Sequence, residues 1–286
     1  MASKGNGKGG FNDVVNEAVD DMASHGFDSV ERLAYWEEKI RRAAEAEAGP
    51  GAKMDSMLRD FLRRTYERML SQGASTKLHP GVPLWTIEKV RPELRAELDR
   101  RIMASANLIR LNKRKRVQET LQRFSGWSTS IPKGGSAEPE KREAKARIKK
   151  PIQSLPFEER RVLIDQGHKL TSSLNEVVAE GGGAIAAVWH SRWRQPGYNY
   201  REDHKDRDEH VYLIAGSWAH AAGLVKEGDD GTTKDITKPG EEPFCRCSYV
   251  YIYSLRQLDK VAPDMLTAKG RAKLEAARDE VRKAMA

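Results

Sequence analysis

The sequence holds only two cysteines among 286 residues, at positions 245 and 247, with one residue between them. Cysteines that close cannot tie distant segments together, which excludes a disulfide framework and points to synthesis in a reducing cytoplasm. Aromatic residues are also scarce, at 7%, and hydrophobic residues, at 38%, fall below the globular average. No apolar run approaches the roughly eighteen residues that a membrane span needs. The opening MASKGNGKGG lacks the apolar stretch of a secretory signal and reads as a flexible basic tail over residues 1–10. Several catalytic signatures are missing as well. There is no G-x-S-x-G elbow, no H-E-x-x-H pair and no phosphate-binding loop, since Gly181-Gly182-Gly183 follows a helical pattern where such a loop would precede one.

What is abundant is charge. Lys and Arg number 50 against 42 Asp and Glu, a net +8, and charged residues make up 32% of the chain. Such a chain folds as thin layers with much solvated helix surface, and its basic balance permits an anionic partner such as nucleic acid. Helical periodicity dominates the first half. Asp28 and Ser29 are N-cap types ahead of Val30, Leu33, Trp36 and Ile40. A second helix carries Leu58, Phe61, Leu62, Tyr66, Met69 and Leu70 and closes at Gln72-Gly73. A third, opened by Pro92, runs from Glu93 to about Phe124 and breaks at Gly126.

Residues 128–150 then read as a Ser/Pro/Gly linker followed by a charged segment too poor in apolar side chains to bury much. A helix from about Phe157 to Glu180 stops at the glycine triplet. Beyond it, Ala184–Trp189, Val211–Ile214 and the RCSYVYIYSL run at Arg246–Leu255 read as strands of a small sheet. A last helix runs from Met265 to about Met285. The expected fold is α+β and predominantly helical: an extended helical N-terminal half, then a small mixed module with a short antiparallel sheet. The expected boundaries are a tail at 1–10, a helical domain at 11–127, a linker at 128–150, an α+β module at 151–260 and a C-terminal helix at 261–286.

Three places could carry chemistry. The segment His190–His210 packs three His, five Lys or Arg and several carboxylates into twenty-one residues. A catalytic reading makes His204 a base with Glu202, Asp206 or Asp208 nearby; the alternative is a surface loop of paired charges anchored by Trp189 and Trp193. Cys245 and Cys247 would point to one face of a strand, and with His204 and His210 they could supply four nitrogen and sulfur ligands to zinc. Buried thiols or a local disulfide are the alternatives. Finally Arg100, Arg101, Arg110, Lys113, Arg114, Lys115 and Arg116 place seven cations and no carboxylate between residues 100 and 117. That helix could contact phosphates without reading sequence, or be a solvated face. His79, His168 and His220 are isolated and read as packing or capping residues.

Two elements resemble the head morphogenesis, or minor head, proteins of tailed bacteriophages, the phage Mu F-like family. One is the Trp189 segment leading into Tyr200-Arg201-Glu202-Asp203-His204, similar to the family's apolar strand, Arg, and His three residues later. The other is Pro243-Phe244-Cys245-Arg246-Cys247, similar to its proline-x-cysteine-x-cysteine element, though Phe244 stands where the family commonly has Asn. The resemblance covers about residues 155–260. It implies a low-copy structural virion component, made in a host bacterium and associated with the portal or capsid interior. Its expected work is in head assembly, DNA packaging or ejection, with portal, capsid or neck proteins as partners and non-specific DNA contact. Self-assembly into an oligomer, as in a ring-forming neck or connector protein, is one alternative. An enzyme of nuclease or toxin-like type centred on Arg201, Glu202 and His204 is the other.

Overall fold

The computed structural model describes residues 9–49, 51–71 and 77–285. The proposed tail at 1–10 therefore lies almost wholly outside the described residues, as does the Gln72-Gly73 stop. The architecture is the expected one: a helical N-terminal half followed by a small three-stranded antiparallel sheet near the C-terminus. The chain forms two compact units, each built from two separate stretches: residues 1–58 with 104–162, and 59–103 with 163–286. The expected boundaries at 127 and 150 both fall within the stretch 104–162 of the first unit. Residues 128–150 do not separate two bodies; they belong inside the first.

In the first unit, α1 (Phe11–His25) and α2 (Val30–Ala48) form a helical pair. The cap signal at Asp28-Ser29 places the first expected helix at Val30, yet Phe11, Val15, Ala18, Val19 and Met22 recur at the three- and four-residue spacing of a buried stripe. Ser29 caps α2 as expected, its hydroxyl accepting from the Arg32 N–H at 3.0 Å. The Trp36 indole N–H donates to the Asp21 carboxylate at 2.6 Å, fixing the two helices across their turn. The charged segment supplies core. Ala144, Ile148 and Ile152, at four-residue intervals, are almost wholly buried against Phe11, Ile40 and Phe124. Three apolar residues on one stripe suffice for burial even when everything between them is charged.

Those residues lie in α6 (Glu138–Gly182), a 45-residue helix that continues through Pro151 and Pro156. A proline inside a helix leaves the carbonyl four residues earlier without its donor. Here the Arg123 guanidinium donates to the Arg147 carbonyl at 2.8 Å and replaces the missing bond for Pro151. Likewise α5 (Arg91–Ser128) passes through Gly126 and ends four residues later than the periodicity indicates. The helix between α2 and α5 is α3 (Gly51–Leu70), followed by the short α4 (Leu84–Lys89).

In the second unit the glycine triplet ends α6, with Gly183 in the left-handed region. The chain then enters β1 (Ala186–His190), which takes the centre of the sheet between β2 (Val211–Leu213) and β3 (Ser248–Ile252). Registers such as Ala187 opposite both Tyr212 and Tyr251 set the two faces. Ala186, Leu213 and Ile252 pack on one side with Leu258 of α9 (Leu255–Val261), Met265 of a 3₁₀ turn and Leu274 of α10 (Ala268–Met285). The C-terminal helix is thus part of this unit's core. Gly270 permits it, because a side chain there would meet the Leu224 carbonyl at 2.0 Å. On the other side Ala187, Trp189, Tyr212, Tyr249 and Tyr251 gather around Cys245 and Cys247. This second face positions the site. Among the described residues no helix is long and apolar enough to cross a membrane.

Candidate functional site

Two segments meet on the tyrosine face. The first leaves β1 and enters the short α7 (Glu202–Asp206), whose one buried residue is His204. The second is the turn Glu242–Cys247 that delivers the chain into β3. The Cys245 N–H donates to the Glu242 carbonyl at 3.2 Å, closing this turn. Phe244 takes φ 62°, the left-handed region that bulky residues avoid. It is held there by the Asp165 carboxylate, which accepts its N–H at 2.5 Å, and by the Tyr198 hydroxyl, which donates to its carbonyl at 3.2 Å. This local strain swings both cysteines toward His204.

The outcome is a buried trio. His204 and Cys245 are each 1% exposed and Cys247 5%. His204 Nδ1 lies 3.6 Å from each Sγ, and one donor atom from each of the three residues lies within 4.8 Å of the others. The Trp189 ring packs edge-on against the imidazole, centroids 5.2 Å apart, which fixes its plane. The far nitrogen, Nε2, faces the Glu242 carboxylate at 3.5 Å. Glu242 is oriented in turn by Arg201, whose Nε sits 2.6 Å from Oε2 and whose Nη2 donates to the Pro243 carbonyl at 3.0 Å. His204 Nε2 is buried and makes no hydrogen bond at this separation. A proton on Nε2 turned toward the carboxylate leaves the Nδ1 lone pair directed at the sulfurs.

The two thiols act as a pair. Cys245 is held well below the usual thiol range, first by the Cys247 S–H donating to it, then by the backbone N–H groups of Gly240 and Cys247 and by His204. Cys247 is correspondingly pushed up, because its proton is the one shared and its surroundings are dry. The Gly240 approach needs glycine: φ is 85°, and a side chain would meet Ser172 Oγ at 2.6 Å. Two sulfurs and an imidazole gathered this closely, with a carboxylate facing the far nitrogen of the imidazole, have the donor set and outer support of a zinc or other thiophilic metal centre. His204, Cys245 and Cys247 would hold the ion, with Glu242 and Arg201 supporting them.

His210 does not join this trio. It is half exposed at the entry to β2, and its Nδ1 sits 2.8 Å from Asp230. Two of the three carboxylates expected beside His204 are likewise elsewhere. Glu202 is exposed and pairs with Lys205 at 3.1 Å. Asp208 accepts the Ser191 N–H at 2.8 Å and the Trp193 indole at 2.9 Å, clasping the loop. The carboxylate nearer to His204 Nε2 is Glu242, which is thirty-eight residues further on and carries no local motif; the adjacent Asp203 stands at 3.8 Å. His79 is a packing residue, stacked on Tyr251 with centroids 5.0 Å apart and bonded to Asn175 at 3.0 Å. His220 Nδ1 accepts the Gly216 N–H at 3.2 Å.

The seven cations of α5 are dispersed. Arg100 and Arg101 fall in one compact unit and the other five in the other. Residues 113–116 are consecutive, so their side chains leave a helix in all directions. Arg101 reaches Glu97 and Ser173, Lys113 reaches Glu159 and the Ala48 carbonyl, and Arg116 joins Glu119 and Glu158. Arg110 and Lys115 have longer pairings, to Asp55 at 3.6 Å and Glu119 at 3.9 Å. Arg114 is exposed with no acidic partner among the described residues. Comparison with protein-family models, with curated proteins and with solved structures finds no match.

Proposed function

We propose that the chain is a low-copy structural protein of a tailed-phage particle whose C-terminal module is locked by a zinc ion on His204, Cys245 and Cys247. One observation carries this reading. The two short segments that resemble the Mu F-like proteins, 200–204 and 243–247, are far apart in sequence yet meet as one buried ligand set. A further detail supports it: the position before the first cysteine is left-handed, and Asn, the residue that the family commonly has there, is among the few that tolerate it. The ion's place would be to hold the α7 loop and the turn into β3 together, in a module with few apolar residues between them. Partners are portal, capsid or neck proteins. DNA contact falls to the outward cations Arg110, Arg114 and Lys115 and not to the whole stretch.

Mass spectrometry of purified proheads and virions tests the particle reading. The protein is expected in few copies per particle, and absence from both contradicts it. A second reading, a metal-dependent nuclease, draws on the count of protein ligands, since three ligands with one coordination position left is the pattern of catalytic zinc. It requires plasmid cleavage with Zn²⁺, Mg²⁺ or Mn²⁺ that disappears in His204→Ala.

A further inference from the structure

A cavity of about 1090 Å³ opens beside the metal-ligand trio, entirely within the second unit, between the tyrosine face of the sheet and the last turns of α6. Nothing in the particle reading uses it. It is larger than inorganic phosphate could fill and matches the upper range of small-molecule sites. Its lining is unevenly charged, with seven Lys or Arg against three Glu. Some of these charges are already matched: Lys238 pairs with Glu176, and Arg100 with Glu97 at 2.7 Å.

Others are not. Arg192, Lys234 and Arg246 line the cavity and have no carboxylate partner among the described residues. The Arg246 guanidinium rests over the Tyr198 ring, 5.2 Å from its centroid, and is thereby aimed without being neutralised. His168 stands at the same end. It titrates below its usual value, first because the surrounding wall desolvates it and then because Arg246, and further Arg192, repel a second positive charge. The opposing wall is aromatic, formed by Tyr249, Tyr251 and Trp218. The Tyr249 hydroxyl is buried and has no hydrogen-bond partner, although the residue is only 6% exposed.

Uncompensated guanidiniums at one end, an orphaned hydroxyl donor and flat aromatic walls are complementary to one class of ligand. We propose that this cavity binds an organic phosphate of mononucleotide size, its phosphate taken by Arg192 and Arg246 and its planar part laid against Tyr249 and Trp218. Guanidiniums suit this task because their planar fork meets phosphate oxygens with two donors at once. The proposal stands independently of virion association and of zinc.

Isothermal titration calorimetry at physiological salt tests it, with AMP and inorganic pyrophosphate as separate probes. AMP is expected to bind at one site per chain and pyrophosphate more weakly at the same site. The double substitution Arg192→Gln with Arg246→Gln is expected to weaken both by at least about tenfold, the size of one lost charged hydrogen bond or more. Tyr249→Phe removes a single hydroxyl from the wall and keeps the test alive should the double variant fail to fold. It is expected to weaken AMP severalfold with an unchanged melting temperature. The proposal is overturned if neither probe gives saturable binding, or if the folded double variant binds AMP as the parent does. It is also overturned if Tyr249→Phe leaves AMP binding unaltered, or if single-stranded oligonucleotides bind more tightly than AMP in proportion to length. That last result would make the surface a strand-binding groove.

Discussion

The cation stretch of α5 and the Cys/His segments of the C-terminal module are both conspicuous in sequence, and folding treats them in opposite ways. Seven like charges that sit within seventeen residues end up in different directions, two compact units and several ion pairs. His204 begins 41 and 43 residues from Cys245 and Cys247 and ends within a few ångströms of both. Density along the chain is therefore a poor guide to density in space. A helix scatters neighbours around its axis, whereas a strand and a strained turn can bring distant residues to one point.

The sharpest way to break that contrast is to remove a ligand. With zinc bound, Cys247→Ala is expected to cost more than about 4 kcal/mol, the scale at which loss of a metal separates from ordinary substitutions. Chemical denaturation with and without a chelator measures it. A cost near 1 kcal/mol would place Cys247 among ordinary core residues and erase the distinction between the two regions.

Ile148→Ala tests whether a charged stretch can nonetheless be core. Its expected destabilisation is about 2–5 kcal/mol, because a fully buried isoleucine is exchanged for a cavity. Lys150→Ala, two residues on and exposed, should shift stability by less than about 0.5 kcal/mol. Equal effects would return residues 140–150 to the solvated segment that their composition implies.

His79 extends the contrast to buried chemistry that needs no metal. Burial depresses its imidazole from 6.5 to about 4, against the smaller opposing effect of the Asn175 hydrogen bond. The unfolded chain takes up a proton below pH 6.5 that the folded chain refuses until about pH 4. Its contribution is thus present above pH 6.5 and is lost as pH falls, at about 1.4 kcal/mol per unit within that window. Urea unfolding of the parent and of His79→Gln at a series of pH values should show the slope reduced in the variant by up to one proton. Parallel profiles would mean that His79 titrates normally.

The smallest effect is expected on the helix. Arg114→Ala should leave stability within about 0.5 kcal/mol, while the salt dependence of DNA retention loses about one unit of slope. Arg116→Ala, which breaks pairs to Glu119 and Glu158, should instead weaken folding and leave the salt slope unchanged. Reversal of those two outcomes would restore a continuous phosphate-binding face.

Much of the fold is legible because the signals are local. The Ser29 cap, the glycine triplet after α6 and the β-branched and aromatic run of β3 each announce an element within a few residues. What is not legible depends on a distant partner. Pro151 and Pro156 stand inside a helix although proline breaks the backbone ladder, and only a guanidinium on another helix supplies the bond that Pro151 cannot make. Ile148 looks isolated among charges until Phe11 and Phe124 are placed against it. The same holds at the site. Cys245 and Cys247 are recognisable from their spacing, and His204 from its place after Arg201. Glu242 is one carboxylate among many until the turn before Cys245 sets it against His204 Nε2. His210, by contrast, has the right chemistry, but the start of β2 pairs it with Asp230.

Whether His204, Cys245 and Cys247 hold a metal is read by metal analysis joined to X-ray absorption at the zinc edge. Protein purified from zinc-supplemented, reducing medium should carry one zinc per chain, with two sulfur ligands at about 2.3 Å and at least one nitrogen ligand. Zinc-free protein from the same preparation, or a bound zinc without sulfur neighbours, would mean that the three residues form no zinc centre.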